Sequence, residues 1–191
     1  MAGSSTSSAQ QQPNSYSTLL TACTIRARIA FVLAIAEVVR ASIETHEIVA
    51  ERLRSALDLA WRSEQSSGVS GDALHDTLES YNDDALMVEE SKAPDPQKPA
   101  WAAITSAIAY ASWHAYLAGG DRRGIPETID EVSEEVIDQV VTYARRAPGF
   151  DPRVVDRLKQ YCVDHHRTAD PTVWGEPIAR EVMLQVANAA G

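Results

Sequence analysis

The chain has 191 residues, 45% of them hydrophobic, with nine glycines and nine prolines. That admits one sizeable core and argues against both a disordered polymer and a turn-rich β architecture. Its 27 acids against 17 bases leave a net charge of −10, which counts against direct nucleic-acid binding and favours a basic protein partner.

Residues 1–17 form a Ser/Gln-rich, low-complexity stretch, expected to be a disordered tail. Leu20-Thr21-Ala22-Cys23 resembles a lipoprotein cleavage box, but neither a base nor an apolar stretch stands ahead of its cysteine. The apolar run Ile29–Ala36 lies between Arg28 and Glu37 and is too short to cross a bilayer. A cytoplasmic protein with no membrane partner is expected. Cys23 and Cys162, the only thiols, make neither a disulfide framework nor a metal knuckle and read as buried and reduced.

From residue 18 to 191 the periodicity predicts a single all-α domain, a bundle of six to seven helices. In the first, about Thr18–Ala41, Ile25, Ile29, Val32, Leu33, Ala36 and Val39 recur at helical spacing; Ile35 and Val38 widen the stripe, which makes this helix central. The second, about Glu44–Glu64, turns Val49, Leu53, Ala56, Leu57, Ala60 and Trp61 inward and stops at Gln65-Ser66-Ser67-Gly68. Ser70 offers an N-cap for a third, with Leu74, Leu78, Tyr81, Ala85 and Val88 on one side and Asp76, Glu79, Asp83 and Glu90 largely on the other. Residues 91–99, rich in proline, read as an internal loop.

The fourth helix is apolar nearly all round. Trp101, Ile104, Ile108, Ala111 and Ala115 face inward, Tyr110, Trp113 and Leu117 cover other sides, and Gly119-Gly120 ends it. The fifth starts at Pro126 and buries Ile129, Val132, Val136, Val140 and Tyr143. Between Pro126 and Ala144 it carries six acids and no base. Asp151-Pro152 starts a sixth, with Val155, Leu158 and Cys162 inward. A last helix from about Pro177 is expected to bury Ile178, Val182, Val186 and Ala189. Trp61, Trp101 and Trp113 fall on buried faces, whereas Trp174 falls in a loop and is expected to be partly exposed.

His75-Asp76 is the sharpest enzymatic candidate. An HD pair on a helix supplies adjacent metal ligands in phosphohydrolases, and HDTLE resembles the HDTVED motif of alarmone hydrolases. His46 upstream and Asp121, Asp130 or Asp138 downstream would complete such a site, where a divalent metal activates water. Against it, Ser80 stands where that motif has an acid, and Asp76 falls on the exposed side of its helix. Asp164-His165-His166 spells another phosphoesterase string without the strands that go with it. Cys162 and His165, a turn apart, are two metal ligands lacking a second pair. No nucleophile elbow, P-loop or dinucleotide fingerprint is present.

The segments ALDLAWRSEQ, GDALHDTLESY, AIAYASWHAYLAGG and PETIDEVSEEVID, in this order, resemble a family of all-helical immunity proteins from bacterial polymorphic toxin systems. The likeness runs roughly from Ile29 to His166, with Trp61, Trp113, Tyr116 and Pro126 as its structural residues. It implies a cytosolic antitoxin that binds a cognate toxin and blocks it by occupying a surface, with no catalytic residue, metal or cofactor. The expected contact face is Glu127, Asp130, Glu131, Glu134 and Asp138, set against a basic toxin surface.

Overall fold

The computed structural model describes residues 15–66, 68–80, 85–120 and 124–189. Among those residues it is all-α, with ten α-helices and no strand. They are α1 (Tyr16–Leu20), α2 (Ile25–Arg40), α3 (Glu47–Gln65), α4 (Gly71–Leu78), α5 (Leu86–Lys92), α6 (Lys98–Gly119), α7 (Glu127–Asp130), α8 (Val136–Ala144), α9 (Arg153–His165) and α10 (Arg180–Asn188). Ten exceeds the expected six to seven because the first, third and fifth predicted segments are each divided.

The first division has a visible cause. Residues 22–24 pair with the segment after α9: Thr24 N donates to the His166 carbonyl at 3.0 Å and Thr168 N to that of Ala22 at 2.8 Å. Extended backbone is needed there, so a continuous helix is impossible. Thr24 then caps α2, its hydroxyl accepting from Ala27 N. Helix α1 begins at Tyr16, inside the span expected to be tail, and residues 1–14 of that span lie outside the described chain.

Helices α2 and α6 form the centre. Phe31, Val32, Leu33, Ala34 and Ile35 are all fully buried, so α2 has no solvent face through its middle. Helix α6 packs on α2, α4 and α8, as its all-round apolar composition requires. Helix α3 lays Leu53, Ala56, Leu57, Ala60 and Trp61 against this pair.

Ser70 caps α4, accepting from Ala73 N at 3.2 Å. Gly71 follows because a side chain would collide there: an added Cβ would stand 2.3 Å from the Tyr116 ring. Of the third predicted helix, Tyr81 on the apolar side and Asp83 on the other lie outside the described residues. Helix α5 reaches Lys92 and α6 starts at Lys98, which shortens the expected 91–99 loop to 93–97. Pro99 sits in the first turn of α6, where a missing N–H costs nothing.

The last helix starts at Arg180, later than expected, and buries Met183 and Ala187 in place of Val182, Val186 and Ala189. The two rows are one residue apart and both have a four-residue step, so periodicity does not separate them. Ile178 is buried as expected, just ahead of the helix. Both cysteines are free and buried. No described helix is long and apolar enough to cross a membrane.

Candidate partner-binding surface

The acidic segment is not one helix. Helix α7 stops after a single turn, and residues 131–135 turn the chain before α8. This sorts the acids. Glu127, Asp130 and Glu131 are exposed, as is Glu135. Glu134 and Asp138 are half-buried and committed to internal partners.

Arg28 is the reason for the turn at Glu134. Only 3% of this α2 residue is exposed, and a buried guanidinium requires a counter-charge and hydrogen-bond acceptors. Its Nη1 donates to Glu134 Oε1 at 2.8 Å and its Nη2 to the Pro171 carbonyl at 2.5 Å. The other carboxylate oxygen accepts from Tyr110 Oη at 2.6 Å. Burial and the adjacent carboxylate push the Tyr110 hydroxyl well above its usual range, so it stays protonated and donating. His114 completes the cluster with Nε2 at 3.8 Å from Glu134. Burial, and then the Arg28 charge, lower its imidazole to about 3, so it is neutral at physiological pH.

Asp138 plays a second anchoring role at the start of α1. Its carboxylate accepts from Tyr16 N at 2.7 Å and from the Ser17 hydroxyl at 2.5 Å. The exposed acids are thus carried on a segment fastened at two points to the rest of the fold.

Beside this segment is a cavity of about 540 Å³, walled by the α3–α4 turn, the end of α6, Gly124 and Trp174. Tyr116 lines it and donates its hydroxyl to Asp72 at 2.5 Å. Trp174 is half-buried on its loop, as expected from sequence. Trp61 and Trp101 are buried, while Trp113 is half-buried with its ring 4.6 Å from that of His114. Pro126 stands at the N-cap of α7 and sets the entry to the acidic turn.

The alternative metal constellation is not assembled among the described residues. His46 is exposed at the N-cap of α3 and lines a surface groove with Glu89 and Trp101. His75 is half-buried on α4 with Glu79, at the C-cap of that helix, 3.6 Å away, and Asp76 is exposed beside Arg52 and Arg62. Asp130 and Asp138 belong to the acidic segment, and Asp121 lies outside the described residues. Cys162 and His165 diverge: the thiol is buried against the Ala27 carbonyl, while the imidazole is exposed against Tyr161. Among the described residues no three or more His, Cys, Asp or Glu side chains gather as a metal site.

Sequence periodicity did not point to Arg28 as a site residue. The available signal was a basic residue within the apolar stripe of a central helix, which must find an acid somewhere. Which acid it finds, 106 positions away, only the fold decides.

No curated protein and no solved structure matches the chain. The model of the family described as Immunity protein Imm6 matches residues 27–147, which include α2 through α8 almost entire and stop before α9. The match takes in Arg28, Tyr110, His114 and Glu134 as well as the acidic turn. Because it covers more than half of the length, the chain belongs to the Imm6 family of immunity proteins.

Proposed function

We propose that the protein neutralises a cognate toxin of a bacterial polymorphic toxin system by binding it directly in the cytoplasm. It acts by occlusion and not by catalysis, and needs no metal or cofactor. Glu127, Asp130 and Glu131 form the outer contact face, and Glu134 and Asp138 hold that face in shape. The supporting observation is an acid-only segment pinned by the ion pair of buried Arg28 with half-buried Glu134, which presents negative charge from a fixed support. Such a field accelerates encounter with a basic surface, and pre-organisation lowers the entropy lost on docking.

The test is association with the toxin encoded beside this chain. Glu127→Lys, Asp130→Lys and Glu131→Lys together should slow association by about 10- to 100-fold at low ionic strength and change dissociation much less. Stopped-flow association across a salt series reads this directly. An unchanged association rate at low salt rules the face out, and failure of the unaltered protein to bind or protect against the toxin rules out the function.

A further inference from the structure

The cavity beside the acidic segment is lined by a cation whose side chain makes no ion pair with any described residue. Arg26 lines it, half-buried, next to Ser63, Ser66, Tyr116 and Trp174. Among the described residues, the more deeply buried charges each have a partner. Arg28 has Glu134, Glu37 has Arg40 and Arg180, and Glu64 accepts from Ile178 N. For Arg26, no described carboxylate stands within ion-pair distance, and its buried Nε has no hydrogen-bond partner. A buried guanidinium N–H left unmade costs free energy, so a ligand acceptor there gains more than it would at the surface.

The neighbouring acids leave this cation available. Asp72 on the cavity wall is engaged by the Tyr116 hydroxyl. Glu64, the acid whose field reaches Arg26, lies wholly out of contact with solvent, and burial pushes its carboxyl up to about 7. It is therefore only partly ionised near neutrality and only partly offsets the guanidinium.

The rest of the wall defines the body of the ligand. Trp174 and Tyr116 supply aromatic surface. Ser63 and Ser66 spend their protons on the Ala60 and Arg62 carbonyls at 2.7 and 3.1 Å, so their hydroxyl oxygens are left as acceptors. Gly175 holds the loop in place: its φ is +78° and an added Cβ would stand 2.7 Å from Thr24, so Trp174 is carried on a turn that only glycine permits. A volume of about 540 Å³ lies within the range of small-ligand sites.

We propose that this cavity binds a carboxylate attached to a planar apolar group with an adjacent N–H, the chemistry of an N-acylated aromatic amino acid. Arg26 takes the carboxylate, Trp174 and Tyr116 flank the ring, and Ser63 or Ser66 accepts from the N–H. The proposal is independent of the toxin-binding face, because none of Glu127, Asp130 and Glu131 lines the cavity.

Calorimetric titration of the full chain with N-acetylphenylalanine tests it, with N-acetylphenylalaninamide as the uncharged counterpart. The acid should bind saturably, and the amide at least about 10-fold more weakly. Arg26→Gln should weaken the acid by at least about 10-fold, with Arg26→Lys recovering part of the loss. The Arg26 side chain makes no hydrogen bond within the described fold, so both variants should keep the unaltered protein's melting temperature. Tryptophan fluorescence should respond to the acid and cease to respond in Trp174→Phe. No saturable binding up to about 10 mM, equal binding of acid and amide, or an unchanged affinity in Arg26→Gln would each overturn the proposal.

Discussion

The acidic turn around Glu134 and the C-terminal segment around Ile178 both bring a distant stretch of chain onto a charged side chain of the core, but they answer it differently. At the turn, the buried Arg28 meets a carboxylate, a carbonyl and, through Glu134, the Tyr110 hydroxyl. At the C-terminal segment, Glu64 meets a single backbone N–H, that of Ile178 at 2.9 Å, and its second oxygen has no partner. The first is a charge neutralised by its opposite. The second is a lone acid whose proton affinity rises until it carries charge only part of the time. Burial alone therefore does not determine a group's contribution; what faces it does.

The sharpest way to break this contrast is at Arg28. Replacing it by Met keeps most of the volume and leaves Glu134 without its cation. Removing one partner of a buried pair costs about 3–5 kcal/mol, and the partial exposure of Glu134 puts this case near the lower end, at about 3 kcal/mol. Urea denaturation should show that loss. Hydrogen exchange should show residues 127–135 opening more often than α3 does. A loss under about 1 kcal/mol would mean that the pair does not anchor the acidic segment.

How much of this was legible in the sequence depends on the distance over which each feature is determined. The α3 stripe of Val49, Leu53, Ala56, Leu57, Ala60 and Trp61 was readable because periodicity is local, and every member is buried but Val49, which is half-buried against the core. So was the Ser70 cap. The break at residues 21–24 was not, because Leu20 and Cys23 continue the apolar pattern while partners beyond α9 impose extended backbone. The acidic segment misled for a related reason. Six acids in one helix look like one solvated face, yet Glu134 is drawn inward by Arg28 and Asp138 by the start of α1. His46, His75 and Asp76 had the right chemistry for a metal site and the wrong placement, since spacing in sequence says nothing of convergence between helices. The Arg26 cavity had no sequence signal, being walled by residues from α2, α3, α4, α6 and the Trp174 loop.

The contrast sharpens with pH at Glu64 and His114, which pull stability in opposite directions. The folded Glu64 carboxyl titrates at about 7 against 4.5 when unfolded, so the folded state holds its proton more tightly. Its contribution is fully present below about pH 4.5 and is lost as pH rises through 7, about 3 kcal/mol in all. Glu64→Gln keeps an acceptor for Ile178 N and cannot ionise. It should raise stability by about 3 kcal/mol at pH 8 and by less than about 1 kcal/mol at pH 5. Thermal melts at the two pH values read this out, and an equal effect at both would refute the assignment.

The smaller effect is at His114, whose imidazole is lowered from 6.5 to about 3 by burial and by Arg28. Here the unfolded chain takes the proton first, so stability is retained above pH 6.5 and falls as the medium is acidified towards 3. By pH 5 the loss is about 2 kcal/mol. His114→Leu should remove that slope, leaving stability between pH 6.5 and 5 to follow the opposite, Glu64-driven rise. In the unaltered protein the two slopes largely cancel across this window, so a flat stability profile there is the expected starting point. If the His114→Leu profile is as flat as that of the unaltered protein, the imidazole does not stay neutral in the folded state, and the cluster holding the acidic turn has a different charge from the one described.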